Sequence, residues 1–535
     1  MTRKWSWAVL ALLLAATLVG AATFDRRAWP GLVGDEATYL MQAQSLAWDF
    51  DLRYEREDYD RFVAQWGRRP EGLILESGDG GATLRYSKPS SYAVWTAPFL
   101  RLSAIRGAAI GNAILLALAA VAAARVLARR IGPSAPLWVA AWIFASVTFA
   151  YVFWVHSDLF LMCLVAFAFC LLYGEGRATP RFLAAGALLG LVLMSRPFYG
   201  MLLLPAALAV PPERRARGIA ALAGGAAAVI LAFSLANLAV SGSWTSYKAE
   251  RQSFDSGTGF PGVELPPEAW KEQIAARGSN VWRPPTGFDA RQGAWNALYF
   301  FAGRHVGVLP YFLPLLLGFA AYRRGEGRWA LLPAVLIAAA AFLVLRPFNF
   351  YGGGGAIANR YFLPLYPALW FLAARPARAV WPLLAAACAA PFLWPLWTAP
   401  RAFFLADAGG YRYVSAFAQQ WLPYETTLSH LKPSGREDFI HNGLWIKMLT
   451  PSLQPEGEGT AIRLTGPSGQ LLAGSPHPLE GIEVLGAPDL KVQGKDRLRA
   501  AHRMWWTDDP FYLYQLDLEA PGAVTFQLRP KAPAP

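Results

Sequence analysis

The amino-acid sequence predicts a mainly α, polytopic membrane protein of about eleven transmembrane helices, with extracytoplasmic interfacial helices and a C-terminal β-rich soluble domain. Three observations carry that prediction: apolar runs recur up to Pro400, arginine clusters fill alternate gaps between them, and hydropathy falls beyond Pro400. The 535 residues are 55% hydrophobic and 16% charged, with a mean hydropathy of +0.28. That balance is too apolar for one soluble globule and too polar for membrane spans alone, so both environments are required.

The apolar runs lie at 5–23, 106–127, 135–154, 158–173, 181–195, 198–210, 219–240, 307–321, 329–346, 361–373 and 380–398. The first follows Arg3 and Lys4 and is long enough to cross hydrocarbon, which keeps the amino terminus in the cytoplasm. Its length, and the runs that follow, favour a retained helix over a cleaved signal peptide, although Gly20-Ala21-Ala22 would suit a cleavage site. Counting from a cytoplasmic start, the inner loops are 125–130, 174–181, 211–218, 322–328 and 374–379, and each holds two or more arginines. Topology thus accounts for the formal charge of +13. No basic stripe with interleaved aromatics remains to bind nucleic acid.

The same count places three segments outside: 25–105, 241–306 and the chain beyond 399. The first carries a helical pattern at 36–48 and an amphipathic piece at 92–102 suited to the membrane interface. Beyond Pro400, short alternating runs at 460–464, 481–485 and 523–528, separated by Gly and Pro turns, predict strands. The chain therefore divides into a membrane domain, 1–400, and an extracytoplasmic β-rich domain, 401–535. Cys163, Cys170 and Cys388 all lie in apolar runs. The first two fall about 10 Å apart along one helix and cannot pair. The outer segments hold no cysteine, which excludes a disulfide framework or a Cys-based zinc site there.

Candidate chemistry collects at the outer ends of the runs. Gly34-Asp35-Glu36-Ala37-Thr38 hangs two adjacent carboxylates just outside the membrane. Asp35 fits either a helix cap or a catalytic acid. Asp158, in Val155-His156-Ser157-Asp158-Leu159, occupies a short outer turn and reaches the same face, again as a cap or as a second acid. His156 beside it is an interfacial histidine or a proton carrier. Lys88 is held against Pro89 in Tyr86-Ser87-Lys88-Pro89-Ser90-Ser91-Tyr92, where it meets either a specific lipid phosphate or anionic headgroups in general. Arg304-His305 and Asn359-Arg360-Tyr361 stand at the outer ends of later runs. Their guanidinium groups suit forked bonds to phosphate or snorkelling anchorage, and Arg196 suits anchorage. The tetrad Gly352 to Gly355 reads as a flexible outer loop, since no strand-to-helix context makes it a phosphate cradle. Asp35, Glu36 and Asp158 offer hard oxygen ligands to a divalent cation, but no compact motif compels one.

At these residues the chain resembles the GT-C class of polyprenyl-phosphate-sugar-dependent glycosyltransferases, in particular the group containing lipid A aminoarabinose transferases and protein O-mannosyltransferases. The matching points are Gly34-Asp35-Glu36, Lys88-Pro89, His156-Ser157-Asp158 and Arg360-Tyr361, in that order along the first 400 residues. Ser90 departs from the second proline that relatives often carry after Lys-Pro. The resemblance implies a donor sugar on a polyprenyl phosphate and an acceptor hydroxyl on a lipid, glycan or protein. It also implies catalysis at the extracytoplasmic surface, with inversion at the anomeric carbon, and the Ala, Arg, Gly and Leu bias of the sequence suggests the inner (plasma) membrane of a bacterium. Asp35 would then be the general base, with Asp158 and Glu36 in the same catalytic group, and Lys88, Arg360, Arg304 and His305 would bind the donor phosphate. No certain cofactor follows, and a divalent cation stays an open question. Two other functions remain: a lipid-linked saccharide polymerase or ligase, and a polytopic transporter or flippase. Transporters place ionisable groups near the bilayer midplane and show repeated halves, whereas these charges collect at outer helix ends.

Overall fold

The computed structural model describes residues 3–29, 32–175, 179–242, 244–245, 250–266, 269–277, 289–353, 357–401, 414–428, 438–450, 452–503 and 510–531. Helix α1, Arg3–Ala22, leads into a loop and then α2, Asp35–Trp48, and α3, Arg56–Trp66. Strands β1, Leu73–Ser77, and β2, Arg85–Tyr86, precede α4, Ser91–Leu102; then come α5, Gly107–Ile131, α6, Ala135–Phe144, α7, Ser157–Tyr173, and α8, Thr179–Ser195. Strand β3, Glu250–Phe254, returns to pair with β1, making an antiparallel sheet in the order β2-β1-β3.

Among the described residues, five helices are long and apolar enough to cross a membrane: Lys4–Ala22, Gly107–Ile131, Pro212–Ala239, Arg328–Leu345 and Val380–Thr398. A sixth arises if α6 and the 3-10 segment Val147–Phe153, bent by 64°, form one span. The chain is a multi-pass membrane protein. The expected count of eleven is not reproduced, for a physical reason. The runs at 307–321 and 361–373 resolve into the short helices Val308–Tyr311, Leu315–Ala320 and Tyr366–Trp370. Proline interrupts them, at Pro310, Pro314, Pro364 and Pro367. The last of them is covered by protein, with Tyr366 and Trp370 fully buried and Trp370 stacked on Trp142 at 5.6 Å. Hydropathy registers apolar residues without distinguishing a protein core from lipid.

Small residues set the tightest helix crossing. A Cβ on Gly186 would lie 1.9 Å from Leu222 O, and one on Gly225 would lie 2.0 Å from Leu183 O. Helix α8 therefore packs backbone to backbone against Arg215–Ser241. That packing fixes the end of α8, where Arg196 emerges.

Beyond residue 437 the chain forms antiparallel sheets. One runs Lys491–Gln493, Pro510–Glu519, Ser468–Ser475, Leu444–Met448, Asp438–His441, with Leu498–Arg503 also on Pro510–Glu519. The other runs Leu453–Glu456, Ala461–Leu464, Val524–Lys531, Gly481–Leu485. All three expected strand regions are strands. Their main core, with Ile446, Ile462, Leu471, Leu516 and Phe526, is separate from that of the helices.

Candidate active site

Helix α2 begins where Gly34 turns the chain in with φ 61°, a conformation that favours glycine. Two acids in the first turn suit the helix dipole. Asp35, Tyr39 and Gln42 follow one another at helical spacing on one face. This face grips Lys88 at both ends: Gln42 Nε2 donates to Lys88 O at 2.8 Å, and Lys88 Nζ donates to Asp35 Oδ1 at 2.5 Å. Lys88 itself follows directly on β2, where Ser87 N bonds to Ile74 O and Ser87 Oγ donates to Glu76 Oε2. The Ser90 departure costs nothing in order, since Ser90 is the residue from which α4 starts and its carbonyl accepts from Val94 N.

The second acid arrives from a break between helices. Asn112, buried in α5, donates to Val152 O and Trp154 O at 3.2 and 3.0 Å and accepts from Tyr92 OH. This pins the chain just before His156, which stands at the N-cap of α7 with Nδ1 3.4 Å from Asp158 N. Asp158 is thus inside the first turn and is not the cap. Its Oδ1 accepts from Arg196 Nη2 at 3.0 Å, and its Oδ2 lies 2.8 Å from His156 Nδ1.

Arg360 joins the two acids. Nη2 donates to Asp35 Oδ2 at 3.2 Å, Nη1 donates to His156 Nε2 at 2.9 Å, and Nε lies 3.9 Å from Asp158 Oδ2. With Nη1 donating to it, Nε2 is an acceptor and the ring proton sits on Nδ1, facing Asp158 Oδ2, so the 3.2 Å approach of Nε2 to Asp35 Oδ2 is not a hydrogen bond in that tautomer. The arginine stem fits because position 352 is glycine: a Cβ there would lie 2.3 Å from Arg360 Cγ. This gives Gly352 a packing role in a tetrad whose Gly354 and Gly355 lie outside the described residues. Aromatic rings wall the cluster, with His156 stacked on Trp154, Arg360 over Trp154, Arg196 over Tyr361 and Lys88 over Tyr39.

Exposure separates the two acids. The Asp35 side chain is 25% exposed and that of Asp158 is 0%. Burial acts to raise the Asp35 pKa, but Lys88, His156 and Arg360 together hold it well below the usual carboxylate range. Burial lowers the Lys88 pKa, against the opposing pull of Asp35. Among the described residues, three basic side chains, Lys88, Arg196 and Arg360, face two carboxylates in the connected group, one more base than acid.

Three residues expected in this group are engaged elsewhere. Glu36 turns away to form a buried, two-pronged pair with Arg26, at 2.8 and 3.2 Å. Arg304 donates to Leu422 O and Gln470 Oε1, and His305 Nδ1 meets Glu425 Oε2 at 2.7 Å. Arg304 and His305 thus anchor the segment around 422–425. Conversely Arg196, read as a membrane anchor, bonds directly to Asp158. Asp35, Glu36 and Asp158 do not converge, and among the described residues no three His, Cys, Asp or Glu side chains are grouped to hold a metal ion. Tyr39 and Gln42 were findable from their spacing after Asp35; Asn112 and Glu425 carried no local signal.

No protein-family model and no curated protein matches the chain. Among solved structures, the chain is similar to ArnT from Cupriavidus metallidurans bound to undecaprenyl phosphate, with a TM-score of 0.42 and 14% identity over 75% of this chain and 67% of that one.

Proposed function

We propose that the chain is an inverting membrane glycosyltransferase that moves a sugar from a polyprenyl-phosphate donor to an acceptor hydroxyl at the outer face of the inner membrane. The observation that carries the reading is the hold of Lys88 and Arg360 on Asp35, the one partly open acid of a buried cluster with one more base than acid. A sugar phosphodiester carries one negative charge and suits that surplus. Lys88 and Arg360 are the groups to receive it, through charge-assisted bonds.

The depressed proton affinity of Asp35 makes it a weak base while both cations rest on it. A phosphate that takes Lys88 and Arg360 removes that electrostatic hold, and Asp35 becomes a better proton acceptor. The acceptor oxygen then attacks the anomeric carbon, Asp35 takes its proton, and the bond from that carbon to the phosphate oxygen breaks. The charge developing on the leaving phosphate falls on Lys88 and Arg360, already held by Gln42 and His156. Asp158, wholly buried, touches no acceptor and instead orders His156, Arg196 and Arg360.

The test is to supply the purified full chain and envelope acceptors with a radiolabelled monosaccharyl-phosphate polyprenol as sole donor. Label appearing in an acceptor supports the reading. Transfer only from a lipid-diphosphate donor would favour a polymerase or ligase, and lipid translocation without transfer would favour a flippase.

A further inference from the structure

Glu425 is fully buried, after the short helix Ala416–Trp421, and its partners lie on the turn that follows helix Ala290–Ala302. Oε1 accepts from His305 N at 2.6 Å and Val306 N at 3.0 Å, and Oε2 lies 2.7 Å from His305 Nδ1. The approach is close enough that a Cβ on Gly303 would lie 2.5 Å from Oε1. Arg304 locks the same two segments together, donating its backbone N–H to Pro423 O and its guanidinium to Leu422 O and to Gln470 Oε1 on the strand Ser468–Ser475.

The other side of this turn holds the chain that carries Arg360. His305 O accepts from Ala358 N at 2.5 Å. Ala358 has φ 74°, a left-handed conformation that costs an alanine about 1 kcal/mol or more and persists only where its surroundings impose it. Tyr151 OH donates to Ile357 O at 3.4 Å, and Arg360 N donates to Tyr351 O at 3.0 Å. Two residues after the strained alanine, the Arg360 guanidinium reaches Asp35 and His156. Small rotations at 358 move that guanidinium.

We propose that Glu425 is a positioning residue: by clamping the 303–306 turn it holds His305 O against Ala358 N and so fixes Arg360 for its anion. The segment after 421, with the sheet that Arg304 ties to it, thereby sets how well the site binds phosphate. The binding arm of the test rests on the reading under Proposed function; the exchange arm does not.

In the full chain, Glu425→Ala is expected to speed amide hydrogen exchange at 357–361 about tenfold or more, while 138–143 in α6 stays unchanged. It is expected to weaken undecaprenyl phosphate binding about tenfold, and to weaken it no further when Arg360→Ala is already present. Glu425→Gln keeps an oxygen for both backbone N–H groups and should restore most of both signals. If Glu425→Ala does not fold, Glu425→Asp, too short to hold the N–H groups and the ring together, should give the same changes in smaller degree. Unchanged exchange at 357–361, or an equal loss of binding with and without Arg360, would overturn the inference. A wild-type chain that does not bind undecaprenyl phosphate overturns the functional reading instead, and the exchange result still decides the role of Glu425.

Discussion

Replacing Asp35 with Asn is expected to separate donor binding from chemistry. In the structure the carboxylate holds Lys88 at 2.5 Å and Arg360 at 3.2 Å, so a phosphate must compete with it for both cations. A hydrogen bond to a charged group contributes about 1.5–3 kcal/mol. Losing one of these competing bonds strengthens donor binding by roughly 10- to 100-fold. Transfer should fall by roughly 100- to 10,000-fold, the usual contribution of a positioned base. The fold should also lose stability at neutral pH. The folded pKa of Asp35 is depressed, so its contribution is fully present above the unfolded value, about 3.9, and disappears as pH falls through the lower folded value. The assay is undecaprenyl phosphate binding and sugar transfer on the same preparations, with thermal melts at pH 7 and in acid. Weaker donor binding in Asp35→Asn, or transfer at the wild-type rate, would refute the reasoning.

Glu36→Ala leaves Arg26 buried without its two-pronged partner, so the melt should report a loss of about 3–5 kcal/mol, with donor binding retained by the folded fraction. A transfer defect beyond the loss of folded protein would return Glu36 to the reacting group. Burial pushes the Glu76 carboxyl up to about 7, against the Ser87 hydrogen bond and the nearby Arg251, Arg85 and Lys88. Its folded pKa exceeds the unfolded value, so stability should decline as pH rises from about 4.5 through 7, by about 3 kcal/mol in all. Glu76→Gln should flatten that decline, and an equally steep profile in the variant would count against the assignment. Transfer should survive exhaustive chelation, because Arg26 holds Glu36 while Lys88, Arg196 and Arg360 hold Asp35 and Asp158. Loss of activity restored by one added divalent ion would contradict this.

Much of the site was legible because its charges stand out against apolar sequence. Asp158 and Arg360 border apolar runs, where a charge demands a partner, and Asp35 and Lys88 fall in the first outer segment between two runs. Their partners were less legible. His156 and Arg196 looked like interfacial residues because nothing local distinguishes an arginine that snorkels from one that bonds Asp158 across α7 and α8. Glu36 and Asp35 are adjacent, yet successive helical residues point about 100° apart, so one reaches Lys88 and the other Arg26. Arg304 and His305 sit at the expected outer end of a run, but Glu425, which takes His305, is 120 residues further on. The count of eleven spans is not confirmed for a related reason: Tyr366–Trp370 is buried and packs against Trp142 and Phe312.

The central claim is an exchange of cations between a carboxylate and a phosphate, and a structure of the full chain with undecaprenyl phosphate tests it directly. The account predicts Lys88 Nζ and the Arg360 guanidinium within hydrogen-bonding distance of the phosphate oxygens, with both bonds to Asp35 lengthened or broken. A phosphate bound elsewhere, with the Lys88 and Arg360 contacts to Asp35 intact, would contradict it.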